Sequence, residues 1–147
     1  MSEVVNQFRI TVDQVEGYEF RVKFDKEHYA ELSTDEPAPL GSDRAPAPAR
    51  ILAAAVGSCM GASFVFACRK QGVTVRAMRT AVSVEIVRTE NRRLRVGRIE
   101  VTLDPRLSAE DLAKAKAAAQ VFEDFCTVSA SVKQGIPIEA KVLGITA

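Results

Sequence analysis

From Ile51 to Cys68 the chain runs eighteen residues without a charge, and Ala, Gly and Ser supply much of that run. Arg50 precedes it, and Arg69 and Lys70 follow. Its length sits at the lower edge of what crosses a bilayer. Its small residues and its place between strand-like segments point instead to a helix buried on most sides in a soluble protein. Gly57 and Gly61 stand four apart and share one face of such a helix. Residues that small let another backbone approach closely, and the expected neighbour is a second helix. Pro48 suits the first turn. Gln71-Gly72 suits the end, with Arg69 and Lys70 favourable at the negative end of the helix dipole.

The remainder of the chain supplies sheet and further helix. Phe8, Ile10 and Val12 alternate with polar residues, and after Gly17 so do Phe20, Val22 and Phe24. Alternation on both sides of a Glu16-Gly17 turn predicts a hairpin. Tyr29 to Leu32 reads as a short third strand. Residues 35–50 hold four prolines and one glycine in sixteen positions, which denies both regular states and predicts a long loop. Val73 to Val87 alternates again, turns at Asn91-Arg92-Arg93, and returns from Leu94 to Leu103, where Asp104-Pro105 is expected to stop the strand. Ser108 has the character of an N-cap, with Asp111 three residues on. Leu112, Ala115, Ala119 and Phe122 fall on one helical face, and an unbroken helix would carry Cys126 on it. Gly135-Ile-Pro closes the helical region, and Ile138 to Val142 reads as a last strand. The expected fold class is α+β, with helices packed on antiparallel sheet, in one domain over residues 1–147.

Composition narrows the function classes. Lys and Arg number 20 against 19 Asp and Glu, so no strong field recruits nucleic acid or an anionic membrane surface. There is no Trp and there are only two Tyr, too few for an aromatic platform under single strands. The first residues, Met-Ser-Glu-Val-Val-Asn, lack the basic and apolar regions of a secretion signal, so a cytoplasmic location is expected. In that setting three cysteines favour reduced thiols over a disulfide framework.

Those cysteines are the candidates for chemistry. Cys59 and Cys126 each border an apolar, small-residue segment, in Val-Gly-Ser-Cys59-Met-Gly and Phe-Cys126-Thr-Val-Ser. If the fold brings them together, they form a thiol redox centre; if it does not, they fill space as small hydrophobes. A reactive thiol needs a lowered pKa, from a helix N-terminus, a cation or a polar partner. Cys59 lies about three turns into its helix, so a cation would have to come from elsewhere. Glu123 and Asp124, just before Cys126, are expected to raise its pKa, which suits a resolving cysteine. Cys68 falls on the opposite helix face from Cys59 and reads as structural. His28, the one histidine, sits in a charged stretch and reads as surface, and no usual metal-ligand spacing is present. Arg92, Arg93, Arg95 and Arg98 read as a solvated hairpin edge, and no phosphate-binding or HExxH motif occurs.

The stretch Asp35-Glu36-Pro37, Pro46-Ala-Pro48 and Leu52-Ala-Ala-Ala-Val-Gly57-Ser58-Cys59 resembles the OsmC/Ohr family of thiol-dependent organic hydroperoxide reductases. So does Cys126-Thr-Val-Ser129 followed by Gly-Ile-Pro-Ile-Glu, and the resemblance spans essentially the whole chain. It implies an OsmC-like fold, with antiparallel sheets around a central buried helix in an intertwined homodimer. It also implies catalysis by Cys59, whose thiolate attacks a hydroperoxide, and by Cys126, which resolves the product to a disulfide. A small or lipoyl-type dithiol would then reduce that disulfide, with no metal and no bound cofactor. Where well-characterised branches carry a glutamate shortly before the first cysteine, to hold an arginine against the thiolate, this chain has Ala49. Arg44 is the best candidate for that arginine, ahead of Arg21 and Arg50. The rival readings are a non-enzymatic small-ligand or acyl-binding protein and a structural dimer. Ala49 favours the rivals, and the two cysteines in their motifs favour the enzyme.

Overall fold

A computed structural model describes residues 2–145 and divides the chain into two compact units that meet in sequence at Leu52 and Ala53. The first unit holds β1 (Thr11–Glu16), β2 (Glu19–Lys23) and β3 (Leu32–Thr34), in the order β1-β2-β3 and all antiparallel. Gly17, with φ +55°, makes the turn that the alternation predicts. Val12 pairs with Val22, and Val22 with Leu32. The first strand begins at Thr11, so Phe8 and Ile10 precede it, and the third lies at Leu32–Thr34 instead of Tyr29–Leu32. Tyr29 belongs to a turn: its N–H donates to the Lys26 carbonyl and its ring meets the edges of His28 and Phe24. His28 is exposed, as a surface residue should be.

The proline-rich loop is ordered around one carboxylate. Asp35, 2 % exposed, accepts the backbone N–H groups of Glu36 (2.8 Å), Arg44 (3.1 Å) and Ser42 (3.3 Å). The Arg44 N–H is the main cause holding its carboxyl below the ordinary value, against the opposing effect of burial. A Cβ on Gly41 would lie 2.6 Å from the Asp35 Oδ1, so only glycine fits where the loop folds over this side chain.

From Ala53 onward the second unit contains most of α1 (Pro48–Lys70), then β4 (Ala77–Arg88), β5 (Leu94–Arg106), α2 (Ala109–Val121), a 3-10 turn (Phe122–Phe125) and α3 (Thr127–Gln134). The helix starts at Pro48 as expected and stops before Gly72, whose φ is +72°. It is long and apolar enough to cross a membrane by length and composition, with half of its most apolar window buried. Ala53, Val56, Met60, Phe64 and Ala67 recur at intervals of three and four and are buried, whereas Ala54, Ala55, Ser58 and Ala62 are exposed. The helix is therefore covered along one face, not on most sides, because one chain brings a single hairpin and short helices to it.

Gly57 and Gly61 lie on the covered face, and the neighbour is a strand, not a second helix. A Cβ at Gly57 would come within 2.6 Å of a Val82 methyl, and one at Gly61 within 3.3 Å of the Thr80 hydroxyl. Phe64, Ala67, Cys68, Val73 and Ala118 form the core of this unit, flanked by Met78, Leu103 and Phe122.

Four further expectations change. β5 runs through Pro105, which pairs with Met78, because the strand is paired along one edge only and a missing N–H is tolerated on the other. On α2, Ser108 caps the helix and accepts the Asp111 N–H at 3.3 Å. Ala115 and Ala118 are the buried positions, while Leu112 and Ala119 face solvent. The helix ends at Val121, so Cys126 does not continue its face but begins α3. Ile138 to Val142 is not a strand among the described residues; Ile138 is 87 % exposed and no strand pairs with it.

Candidate active site

Cys59 and Ser63 stand four residues apart on α1, so their side chains share one side of the helix. The segment that faces them is fixed by aromatic contacts. Phe122 meets Phe64 edge-on at 5.6 Å between ring centroids, and Phe125 meets Phe66 at 5.0 Å. The Lys70 ammonium lies over both outer rings, 5.2 Å from Phe66 and 5.3 Å from Phe125. The 3-10 turn is thereby clamped to α1 at two points, and Cys126 emerges beside Cys59.

Cys126 takes an extended conformation (φ −87°, ψ 96°) and caps α3, its sulfur accepting the Ser129 N–H at 3.4 Å. The side chains of Cys59 and Ser63 lie beside the same sulfur. The structure therefore brings Cys59 and Cys126 together, and both thiols are free. Burial pushes the Cys126 thiol up, but the polar groups around the sulfur, from Ser129, Cys59 and Ser63, outweigh it and leave the group below its ordinary value. The Ser129 hydroxyl itself is without a hydrogen-bond partner, and the Ser129 backbone N–H is the donor that bonds the sulfur.

This reverses the expectation that Glu123 and Asp124 raise Cys126. Glu123 is drawn to Lys133 at 2.9 Å, and the polar groups around the sulfur decide the direction. Cys126 is 1 % exposed and Cys59 is half-buried. A cavity of about 280 Å³ opens between α1, β5 and α3, with Val56, Met60, Ile99 and Val132 as apolar wall and Glu100, Glu123, Ser129 and Lys133 as polar lining; Ser129 is the residue it shares with the surroundings of Cys126.

Cys68 is fully buried, and burial, then the Asp111 charge, pushes its thiol up. It is a structural thiol, as the helix geometry predicts. Arg44 belongs to the first unit. Its guanidinium lies 3.5 Å from Glu19 and 3.9 Å from Glu16, so it has carboxylate partners although Ala49 provides none. Arg21 is paired with Glu31 at 3.7 Å.

Ser63, Ser129 and Asp35 are the residues that reading for cysteines alone passes over. The signals were present: Ser63 lies one helical turn after Cys59, and Cys126-x-x-Ser129 has N-cap spacing.

The sequence model of the family described as OsmC-like protein matches residues 41–141. No curated protein sequence matches the chain. Among solved structures, an OsmC-like protein from Mycoplasma pneumoniae is similar with a TM-score of 0.70 at 12% identity, over 88% of this chain and 89% of that one. An organic hydroperoxide resistance protein OsmC from Legionella pneumophila gives 0.61 at 16%, over 89% and 92%. The organic hydroperoxide resistance protein OhrB of Bacillus subtilis gives 0.58 at 17%, over 87% and 92%. At such identities these structures speak for the fold, and the match over residues 41–141 speaks for ancestry: the chain belongs to the OsmC-like protein family.

Proposed function

We propose that this protein is a cytoplasmic thiol-dependent peroxidase that reduces organic hydroperoxides with Cys59 and Cys126. The observation that carries the reading is the approach of Cys59 to a Cys126 sulfur whose surroundings favour the thiolate. In the proposed cycle the Cys59 sulfur attacks the hydroxyl-bearing oxygen of the peroxide, the O–O bond breaks, and the alkoxide leaves as an alcohol after taking a proton. Cys126 then attacks the resulting sulfenic acid, expelling hydroxide, and a dithiol reduces the disulfide. Arg44, held by Glu19 and Glu16, is the proposed cation for the developing charge. The names of the Legionella and Bacillus neighbours agree with this substrate class.

The proposal includes a homodimer of one-domain chains. All six residues of β1 are exposed, as are Ile138, Val142 and Leu143, and apolar surface left open on this scale calls for a partner. A second copy is the partner proposed.

The test is consumption of cumene hydroperoxide with dihydrolipoamide as reductant. The wild type turns over and Cys59→Ser does not. A Cys59→Ser variant as active as the wild type would contradict the reading.

A further inference from the structure

Resting on that reading of the thiol pair, we propose that Phe66 and Lys70 are positioning residues for its second step, holding Phe125 so that Cys126 stays where it can close the disulfide with Cys59. Cys59, Ser63, Phe66 and Lys70 follow one another on α1 at steps of four, three and four, so they line one side of the helix. The far half of that row meets the residue just before Cys126. The Phe66 and Phe125 rings stand edge to face, 5.0 Å between centroids and 74° between planes. The Lys70 ammonium lies over both, at 5.2 Å and 5.3 Å.

These rings add little to the core. Phe66 is 47 % exposed and Phe125 41 %, neither belongs to the cluster around Phe64, and Phe122 already anchors the same turn there. What the outer contact does is fix a backbone. Phe125 ends the 3-10 turn, the Cys126 N–H donates to the Glu123 carbonyl at 3.1 Å, and the Cys126 carbonyl accepts the Ala130 N–H at 3.1 Å. The held ring is therefore the immediate neighbour of Cys126, and the hydrogen bonds on either side leave little slack between them. Without Phe66, the Phe122 contact still keeps the turn on α1, but Phe125 and Cys126 are free to swing outward. Only the fraction of molecules with Cys126 in place can then react.

The step served is the condensation of the two thiols. The Cys126 sulfur bonds to the sulfenic sulfur of Cys59, and the sulfur–oxygen bond breaks with its electron pair on oxygen. The hydroxide takes the Cys126 proton and leaves as water. Cys126 is oxidised and the Cys59 sulfenic acid is reduced to the shared disulfide. The earlier attack on the peroxide involves Cys59 alone and makes no use of the clamp.

Rapid mixing with one equivalent of cumene hydroperoxide separates the two steps, with dimedone trapping the sulfenic acid. In Phe66→Ala the sulfenic acid forms at the wild-type rate, and its conversion to the disulfide slows about three- to tenfold, the factor that one aromatic pair is worth. Phe66→Tyr restores the conversion. Lys70 is exposed, so Lys70→Gln carries the test should Phe66→Ala fold poorly; it slows the conversion about twofold, and Lys70→Arg, which keeps a cation over the rings, does not. A second readout dispenses with peroxide: in a lipoamide–dihydrolipoamide buffer the disulfide of Phe66→Ala is less favoured by the same factor. Wild-type conversion and a wild-type equilibrium in these variants overturn this inference alone, as does an equal slowing of both steps. A wild type that forms no sulfenic acid overturns the peroxidase reading, and the buffer equilibrium then decides the clamp. A wild type that closes no disulfide in either experiment overturns both.

Discussion

Cys68 and Cys126 are hidden alike, at 0 % and 1 % of their area, yet their surroundings push the two thiols in opposite directions. Burial disfavours both anions. Around Cys68 the Asp111 charge adds to that penalty, whereas around Cys126 the polar groups beside the sulfur overcome it. Cys68→Ala should therefore leave peroxide consumption intact while costing about 1 kcal/mol of stability, the scale of removing a small buried group, read by chemical denaturation. Asp35 gives a pH prediction. Its folded-state pKa is depressed below 3.8, first by the Arg44 N–H, so its contribution is complete above that value and is lost as pH falls through the lower folded-state value. Asp35→Asn should lower the melting temperature at neutral pH and flatten the loss of stability on acidification. An unchanged acid limb would show that the carboxylate does not order the loop.

At the level of elements, the two helix glycines differ in what replacing them should do. Both lie where β4 crosses α1, but a methyl at Gly57 meets Val82 at 2.6 Å, and a methyl at Gly61 meets Thr80 and Met78 at 3.3 and 3.4 Å. Alanine gains about 1 kcal/mol of helix propensity over glycine at either site. Overpacking against a β-branched neighbour costs about 1–3 kcal/mol, so Gly57→Ala should lose stability. At Gly61 the Met78 methyl can move aside, and alanine should be neutral or stabilising by thermal melts. Much of this level was legible in the sequence. The Pro48 start and Gly72 end of α1, the Gly17 turn and the Ser108 cap each rest on local chemistry that a few residues carry. What was not legible depends on partners. Pro105 looks like a stop until β5 is known to be paired on one edge only. The break at Val121 follows from the Phe64–Phe122 and Phe66–Phe125 contacts, which join segments far apart in the chain. Ile138 to Val142 alternates like a strand, but a strand needs a neighbour to bond to, and none is there among the described residues.

For the molecule as a whole, the meeting of Cys59 and Cys126 joins the helix of the N-terminal motif to the turn before α3, across sixty-seven positions of sequence. Spacing alone left that meeting open, and the resemblance only implied it. The serines that tune Cys126 come from both of the segments so joined, Ser63 from α1 and Ser129 from α3, so the charge at Cys126 depends on the same packing that brings the thiols together. The most direct test of the central claim is a peptide mass map of the native protein after one equivalent of cumene hydroperoxide. The account predicts a Cys59–Cys126 disulfide that dihydrolipoamide reverses, with Cys68 still a free thiol; free thiols at Cys59 and Cys126, or a disulfide that includes Cys68, would contradict it.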